Sequence, residues 1–266
     1  MRLTIVGCSG SMPGADSAAS CYLIEHDGTR IVLDLGNGAA GALQRYAALE
    51  TIDAIVLSHL HADHCLDACA FIVWHRYSER SRGPVPLYGP RGTSERLAAA
   101  YERPGADLTD VFTFHTLSSD DHERQRSIAA TPEALTIMNA GLKIGGLRLT
   151  FARTNHPVET YAIRVDSESA SVTYSGDTGV CAELVEVARG SDLFICEAAQ
   201  PDGDSAYPPG LHLTGAQAGE HAAAAGVSRL VLTHIPPWVD RKAQFGTARA
   251  AFRATELARP GATYDL

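Results

Sequence analysis

Four apolar runs of this 266-residue chain each end in residues able to ligate a metal ion. "AIVLS" leads into His59, His61, Asp63 and His64; "LTFARTN" leads into His156; "SVTYSG" leads into Asp177; "RLVLT" leads into His234. Short apolar runs closed by turn residues read as strands. Ligands at strand ends can meet only if the strands finish at one edge of a sheet core, so the pattern restricts the folds open to the chain. The densest piece is "SHLHADH", residues 58–64. His59 and His61, two apart on extended backbone, point the same way. Asp63 and His64 turn into the segment that follows and face a second point close by. Five histidines and two aspartates suffice for two divalent ions, with one carboxylate left to bridge. Neutral imidazole and carboxylate suit zinc, with manganese or iron as alternatives. Isolated histidines such as His26, His75, His115, His122 and His221 are expected to be surface or satisfied core residues; the His-x-His-x-Asp-His run is far more specific.

The remaining pattern fills in the elements. Strands are expected at "LTIVG", "CYLIEH", "RIVLDLG" and "DAIVLS", with a helix at "GALQRYAALE" between the last two. "ADHCLDACAFIVWHRYSER" reads as one helix, "GPVPLYGP" as a strand and "TSERLAAAYER" as a helix capped by Thr93 or Ser94. Residues 104–132 form the least regular stretch, expected as a flap or subunit contact near the site mouth. The second half returns to strands at "LRLTFART", "YAIRVD" and "SVTYSG", then alternates helix "CAELVEVARG", strand "DLFICEA", helix "TGAQAGEHAAAAG" and strand "RLVLTH". Strands first and βα units later, in both halves, predict an α/β fold with a two-layered sheet core and outer helices. No low-complexity linker divides the chain, so residues 1–266 are expected to form one domain.

Charge and cysteine usage narrow the classes. The formal net charge is −9, and of 22 Lys and Arg only two are Lys. A sequence-independent nucleic-acid binder carries a basic surplus. No apolar run approaches the ~20 residues needed to span a bilayer, and "MRLTIVG" reads as a strand opening, not a signal peptide. The six cysteines form no Cys-x-x-Cys pair and are expected to be reduced, in a cytoplasmic protein.

The motifs "SHLHADH", "NHP" at 155–157, "SGDT" at 175–178 and "LTHIPP" at 232–237 resemble those of the metallo-β-lactamase-fold hydrolases, along nearly the whole chain. The resemblance implies a four-layer αββα sandwich with a dinuclear site on one edge. Carried over by motif, His59, His61 and His156 would hold one ion and Asp63, His64 and His234 the other. Asp177 and a hydroxide would bridge them. Cys181, four residues after Asp177, would lie in the following helix as a structural residue.

"LHLTGAQAGEHAAAAGVSRLVLTH" is similar to the segment before the last ligand in tRNA 3′-processing endonucleases and their phosphodiesterase relatives. There the first histidine contacts the scissile phosphate, which maps onto His212. The local physics agrees: Thr214 and Gln217 have capping-box spacing, so His212 precedes a helix start, where anions are favoured. Glu197 is the candidate partner that orients it. The candidate catalytic residues are therefore His212, Glu197 and Asp63. The endonuclease family carries its tRNA-gripping arm between the second and third motifs, yet His156 to Asp177 here spans 21 positions. The chain rather resembles compact bacterial phosphodiesterases, some acting on cyclic nucleotides. The expected activity is hydrolysis of a small phosphodiester, foremost a 3′,5′-cyclic nucleotide. Folded RNA is not an expected partner, and a homodimer is the expected assembly. A tRNA 3′ endonuclease, an ester, thioester or lactone hydrolase, and a non-catalytic metal-binding module are the alternatives.

Overall fold

The computed structural model describes residues 1–101, 104–117, 141–203, 208 and 210–266. Its first sheet holds β1 (Arg2–Ser9), β2 (Ala18–Ala19), β3 (Cys21–His26), β4 (Thr29–Leu33), β5 (Ala54–Val56), β6 (Val85–Gly89), β7 (Phe112–Thr116) and the late strand β15 (Thr263–Asp265). Their order is β15-β1-β3-β4-β5-β6-β7, with β2 on β1. The second sheet holds β8 (Leu142–Ile144), β9 (Leu147–Arg153), β10 (Tyr161–Asp166), β11 (Ser171–Tyr174), β12 (Leu193–Glu197), β13 (Leu230–Thr233) and β14 (Thr255–Leu257). Its order is β14-β13-β12-β11-β10-β9-β8. The helices are α1 (Ala39–Leu43), α2 (Ala62–Cys65), α3 (Ala68–Tyr77), α4 (Thr93–Ala100), α5 (Ala182–Ala188), α6 (Gly215–Ala225) and α7 (Arg241–Ala251).

Both halves follow one logic. Antiparallel hairpins come first, and parallel strands with helical crossovers follow. The central parallel strands β5, β12 and β13 are buried at every position, and their sequences are apolar runs up to Glu197 and Thr233, the last residues of β12 and β13. β9 alternates instead, with Leu147, Leu149 and Phe151 turned inward. Leu3, Ile5, Ile24 and Leu33 of the first sheet pack against Leu149, Ile163, Val172 and Ile195 of the second. A second apolar layer joins α1, α3 and α4 to the outer face of the first sheet, and a third joins α5, α6 and α7 to the outer face of the second. This is the expected αββα sandwich.

Pairing direction places the site. β1 and β3, then β3 and β4, are antiparallel, and β4 and β5 are parallel, so β1, β4 and β5 end at one edge. The same reasoning makes β9, β11, β12 and β13 end together. Each of the seven expected ligands follows one of these strand ends.

Four local expectations are corrected. The helix over 41–50 stops at Leu43 and resumes only as a single 3-10 turn, Leu49–Thr51. The helix over 62–80 is two helices, α2 and α3, because Asp67 breaks off to accept a hydrogen bond from Ala40 N–H while its own N–H bonds Leu35 O. The N-cap of α4 is Gly92 at φ 82°, and Thr93 Oγ1 instead donates to Pro90 O. Cys181 is the N-cap of α5, not a residue within it. Within 104–132, residues 112–116 are strand β7, paired in register with β6; the rest of the flap expectation, 118–132, lies outside the described residues. Among the described residues no helix is long and apolar enough to cross a membrane.

The loop after β4 clamps α2 in place: Leu35 N–H bonds His64 O at 2.8 Å, and a Cβ on Gly36 would lie 1.9 Å from Asp63 O. Gly36→Ala is therefore expected to cost about 1–3 kcal/mol by overpacking. Gly41→Ala, in α1 with nothing within 4 Å of the new methyl, should be neutral or stabilise by up to about 1 kcal/mol. Urea-unfolding midpoints of the two variants test this; equal midpoints would contradict the clamp.

Candidate metal centre

β5 delivers the first histidines. Its chain continues through Ser58, His59 and Leu60 to His61, the N-cap of α2 at φ −66°, ψ 154°. His59 and His61 thus stay on one side, while α2 carries Asp63 and His64 round to a second point. β9 supplies His156, β11 supplies Asp177 through Gly176 at φ 58°, and β13 supplies His234, itself at φ 55°. The ligand atoms of His59, His61, His156 and Asp177 lie within 4.8 Å of one another, as do those of Asp63, His64 and His234. Asp177 reaches both groups: Oδ2 is 3.6 Å from His59 Nε2, and Oδ1 is 3.2 Å from His64 Nε2 and 3.4 Å from His234 Nε2. All seven residues expected as ligands are brought together, in the expected two groups.

Surrounding groups fix which nitrogens stay bare. Ser58 Oγ donates to Asp34, so His59 Nδ1–H must be the donor to Ser58 Oγ at 3.0 Å. His156 Nδ1–H donates to Leu211 O at 3.0 Å. His64 Nδ1–H donates to Asp34 Oδ2 at 2.7 Å. Each bond leaves Nε2 as a lone pair pointing into the cluster. There His59 Nε2 and His156 Nε2 stand 3.1 and 3.3 Å from His61 Nδ1, and His64 Nε2 stands 3.1 Å from His234 Nε2. His59 Nε2 and His156 Nε2 both face His61 Nδ1, which could donate to only one of them, whereas a shared cation satisfies all three. Asp177 Oδ1, buried with no hydrogen-bond donor, makes the same demand. The donor set therefore fits metal ions.

The electrostatics agree. Burial pushes the His59, His61 and His156 pKa values below the ordinary imidazole range, so they stand neutral as ligands must. Burial alone would push Asp63 and Asp177 up, but the facing histidines, His234 first, hold both carboxyls well below their usual range. Burial would likewise lower His64, but Asp177 and Asp34 outweigh it and raise its pKa well above the ordinary imidazole range; a cation bound at Nε2 would replace that proton.

His212 stands apart. Its Nδ1 is 2.9 Å from Glu197 Oε1 and 4.0 Å from Asp177 Oδ2. Burial opposes its protonation, but the Glu197 carboxylate overrides this and raises its pKa to about 9. Glu197, fully buried at the end of β12, also accepts from the N–H groups of Thr178, Ala199 and Leu213. The capping box of Thr214 and Gln217 forms as expected. His212 can also reach Asp177 and His234 as a third ligand grouping. Of the lone histidines, His221 is a satisfied core residue, with Nδ1 bonded to Gln217 O, and His75 bonds Gly83 O. His122 lies outside the described residues.

Sequence reasoning missed Asp34, Ser58 and Tyr174, which orient the ligands from behind. Asp34 accepts from Ser58 N–H and Oγ–H, His64 Nδ1–H and Tyr174 O–H. The signal was present: "RIVLDLG" ends an apolar run in an acid, as the ligand strands do.

The sequence model of the Beta-lactamase superfamily domain matches residues 29–235. The protein Rv1339 of Mycobacterium tuberculosis is 43% identical over 95% of this chain and 87% of its own length. The probable metallo-hydrolase YhfI of Bacillus subtilis is 31% identical over 89% of this chain and 87% of its own. The YhfI crystal structure, a metallo-beta-lactamase fold protein, superposes with a TM-score of 0.83 over 99% of both chains, at 24% identity in that alignment. Ribonuclease Z of Mycobacterium bovis is 27% identical over 89% of this chain and 86% of its own.

Asp34→Asn keeps a residue tolerant of the φ of 58° at this position but removes the charge behind His64. Metal affinity, read by competition with a chromogenic chelator, should fall about 10- to 100-fold. Unchanged affinity would show that Asp34 only supports the fold.

Proposed function

The chain belongs to the beta-lactamase superfamily, as a metal-dependent hydrolase, and from that premise we propose that it is a phosphodiesterase of small substrates, foremost of a 3′,5′-cyclic nucleotide opened to the 5′-monophosphate. The observation behind this reading is the His212–Glu197 pair beside the cluster: a held imidazolium suits the charge of a phosphoryl group and the protonation of an alkoxide leaving group. In this reading His59, His61 and His156 hold one divalent ion, Asp63, His64 and His234 hold the other, and Asp177 lies between. Bound there, two ions, zinc by the donor set, would supply charge neutralisation at phosphorus and water acidic enough to react at neutral pH.

The chain's own groups account for the rest. Glu197 keeps the proton on His212 Nδ1 and turns Nε2–H towards substrate. Nε2–H donates to a phosphoryl oxygen as negative charge builds there and passes its proton to the departing 3′-oxygen. Asp63, kept ionised by His234 and His64, can accept a hydrogen bond from the attacking water and orient it, and the proton that the water gives up passes to solvent. Small substrates are favoured because His156 and Asp177 are joined only through β10, β11 and the tight turn between them, where Ser167 N–H bonds Ala170 O at 2.8 Å. No RNA-gripping arm leaves the fold there. The similarity to a ribonuclease Z keeps a tRNA 3′ endonuclease as the second reading. All six cysteines are free thiols, which suits the reducing cytoplasm.

Gently purified protein should carry near two equivalents of transition metal, and His61→Ala should lower that number and abolish turnover. Full activity after chelation to a metal-free state would end the reading. Across cyclic AMP, cyclic GMP, a 2′,3′-cyclic nucleotide, a tRNA precursor and a lactone, a 3′,5′-cyclic nucleotide should be cleaved best; cleavage of the tRNA precursor alone would install the second reading.

His212→Ala should keep the metal and the fold but lower kcat by roughly 10²- to 10⁴-fold. The loss should shrink on a nitrophenyl phosphodiester, whose leaving group needs no proton. An equal loss on both substrates would leave charge stabilisation as its role, and loss of metal would make it a ligand.

A further inference from the structure

The described residues expose five large apolar side chains: Met12, Val73, Tyr77, Val180 and Trp238. Val73 and Tyr77 share one face of α3, four residues apart. The other three sit on loops that leave the strand ends bearing the cluster. Met12 follows β1, Val180 stands three residues after Asp177, and Trp238 stands four residues after His234. Three on the loops of one edge offer apolar surface beside the cluster.

Trp238 and Met12 are on neighbouring loops. Ser9 bridges to Ile235, and Gly10 N–H bonds Ile235 O at 3.3 Å. A Cβ on Gly10 would lie 2.2 Å from His234 O, so only glycine lets the loop come this close. Ser11, at φ 61°, turns its N–H to His234 Nε2 at 3.4 Å, so Met12 begins at the cluster itself. Farther out, a Cβ on Gly14 would sit 3.6 Å from Pro237 Cγ. The turn from Pro236 to Val239 is closed by Val239 N–H on Pro236 O at 3.0 Å and anchored by buried Val239, leaving Trp238 at its tip, 60% exposed. Four residues span at most about 14 Å, so the indole cannot be remote from the ligands. Val180 lies on the other side, where Asn155 Nδ2–H bonds its carbonyl.

We propose that Trp238, flanked by Met12, is the stacking wall for the nucleobase of the substrate. This rests on the phosphodiesterase reading and deepens it: the cluster and His212 take the phosphoryl group, and the indole face takes the base. An aromatic face accepts any base with little regard to hydrogen-bonding pattern, so the wall selects for nucleotides as a class over base-free phosphodiesters.

The test compares cyclic AMP with abasic ribose 3′,5′-cyclic phosphate in the metal-loaded protein. Trp238→Ala should lower kcat/KM on cyclic AMP by about 5- to 150-fold, the value of one base stack. The loss should fall mainly in KM, with metal content and oligomeric state unchanged. On the abasic substrate the variant should match wild type, and Trp238→Phe should recover most of the loss. The protein has two tryptophans, so a Trp74→Phe background leaves Trp238 as sole reporter. Its fluorescence should be quenched by adenosine 5′-monophosphate and not by ribose 5-phosphate. Wild type that turns over cyclic AMP, with Trp238→Ala equally good, would overturn the wall and leave the phosphodiesterase reading standing. Equal losses on both substrates, or a changed oligomeric state in the variant, would also overturn it. Wild type that neither cleaves nor binds any nucleotide would remove both.

Discussion

The Asp34 carboxylate is fully buried where β4 gives way to the next loop, and four hydrogen bonds converge on it, from Ser58 N–H, Ser58 Oγ–H, His64 Nδ1–H and Tyr174 O–H. Removing a carboxylate from water costs several kcal/mol, so the fold tolerates it there only with those donors in place. They come from the end of β5, from α2 and from β11 of the opposite sheet. One charge thus ties the two sheets and the ligand-bearing helix to a common point. Its backbone, at φ 58°, lies in a region that aspartate tolerates better than most residues. The turn this allows sends Leu35 and Gly36 under α2.

Consequences pass outward from that carboxylate. By claiming the Ser58 hydroxyl hydrogen it obliges His59 to give up its Nδ1 hydrogen to Ser58 Oγ, and it takes the Nδ1 hydrogen of His64 directly. Both rings are then held with Nε2 bare and inward. A buried set of inward lone pairs is unfavourable by itself, since the interior offers little screening. Occupancy by cations relieves that cost, and binding to the folded state alone stabilises it by mass action. Folding and metal uptake are therefore coupled through the same few bonds, and the site is rigid because its supporting carboxylate is.

Most of this floor was legible in the sequence, and for a physical reason. A strand end is set by an abrupt change from apolar to turn residues, and a ligand must be His or Asp, so the two signals coincide at His59, His156, Asp177 and His234. The helix start after His212 was legible too, because a capping box has a fixed spacing. Asp34 was not singled out, since one acid after an apolar run is common and its four donors lie 24 to 140 positions away. The break between α2 and α3 was hidden for a similar reason: the local pattern stays helical, and the interruption is imposed by the bonds of Asp67 to Leu35 and Ala40. β7 was masked by its own composition. "FTFHT" is short and sits among polar residues, and only pairing with β6 makes it a strand.

The walls of the site follow a different rule from its floor. A residue three or four positions beyond a ligand is bound in space by that ligand, because the backbone between them is short and hydrogen-bonded. Gly179 N–H on Asn155 O fixes the approach to Val180, and Val239 N–H on Pro236 O fixes the approach to Trp238. Position is therefore inherited from the ligand geometry, whereas no ligand role restricts the side-chain type there. Substrate preference can change at such places without disturbing the centre beneath, which is why fold and ligand set leave the substrate open. In this chain these positions hold valine and tryptophan, both more than half exposed. On the proposed reading that exposed apolar surface, and not the shared floor, selects the molecule that fills the site.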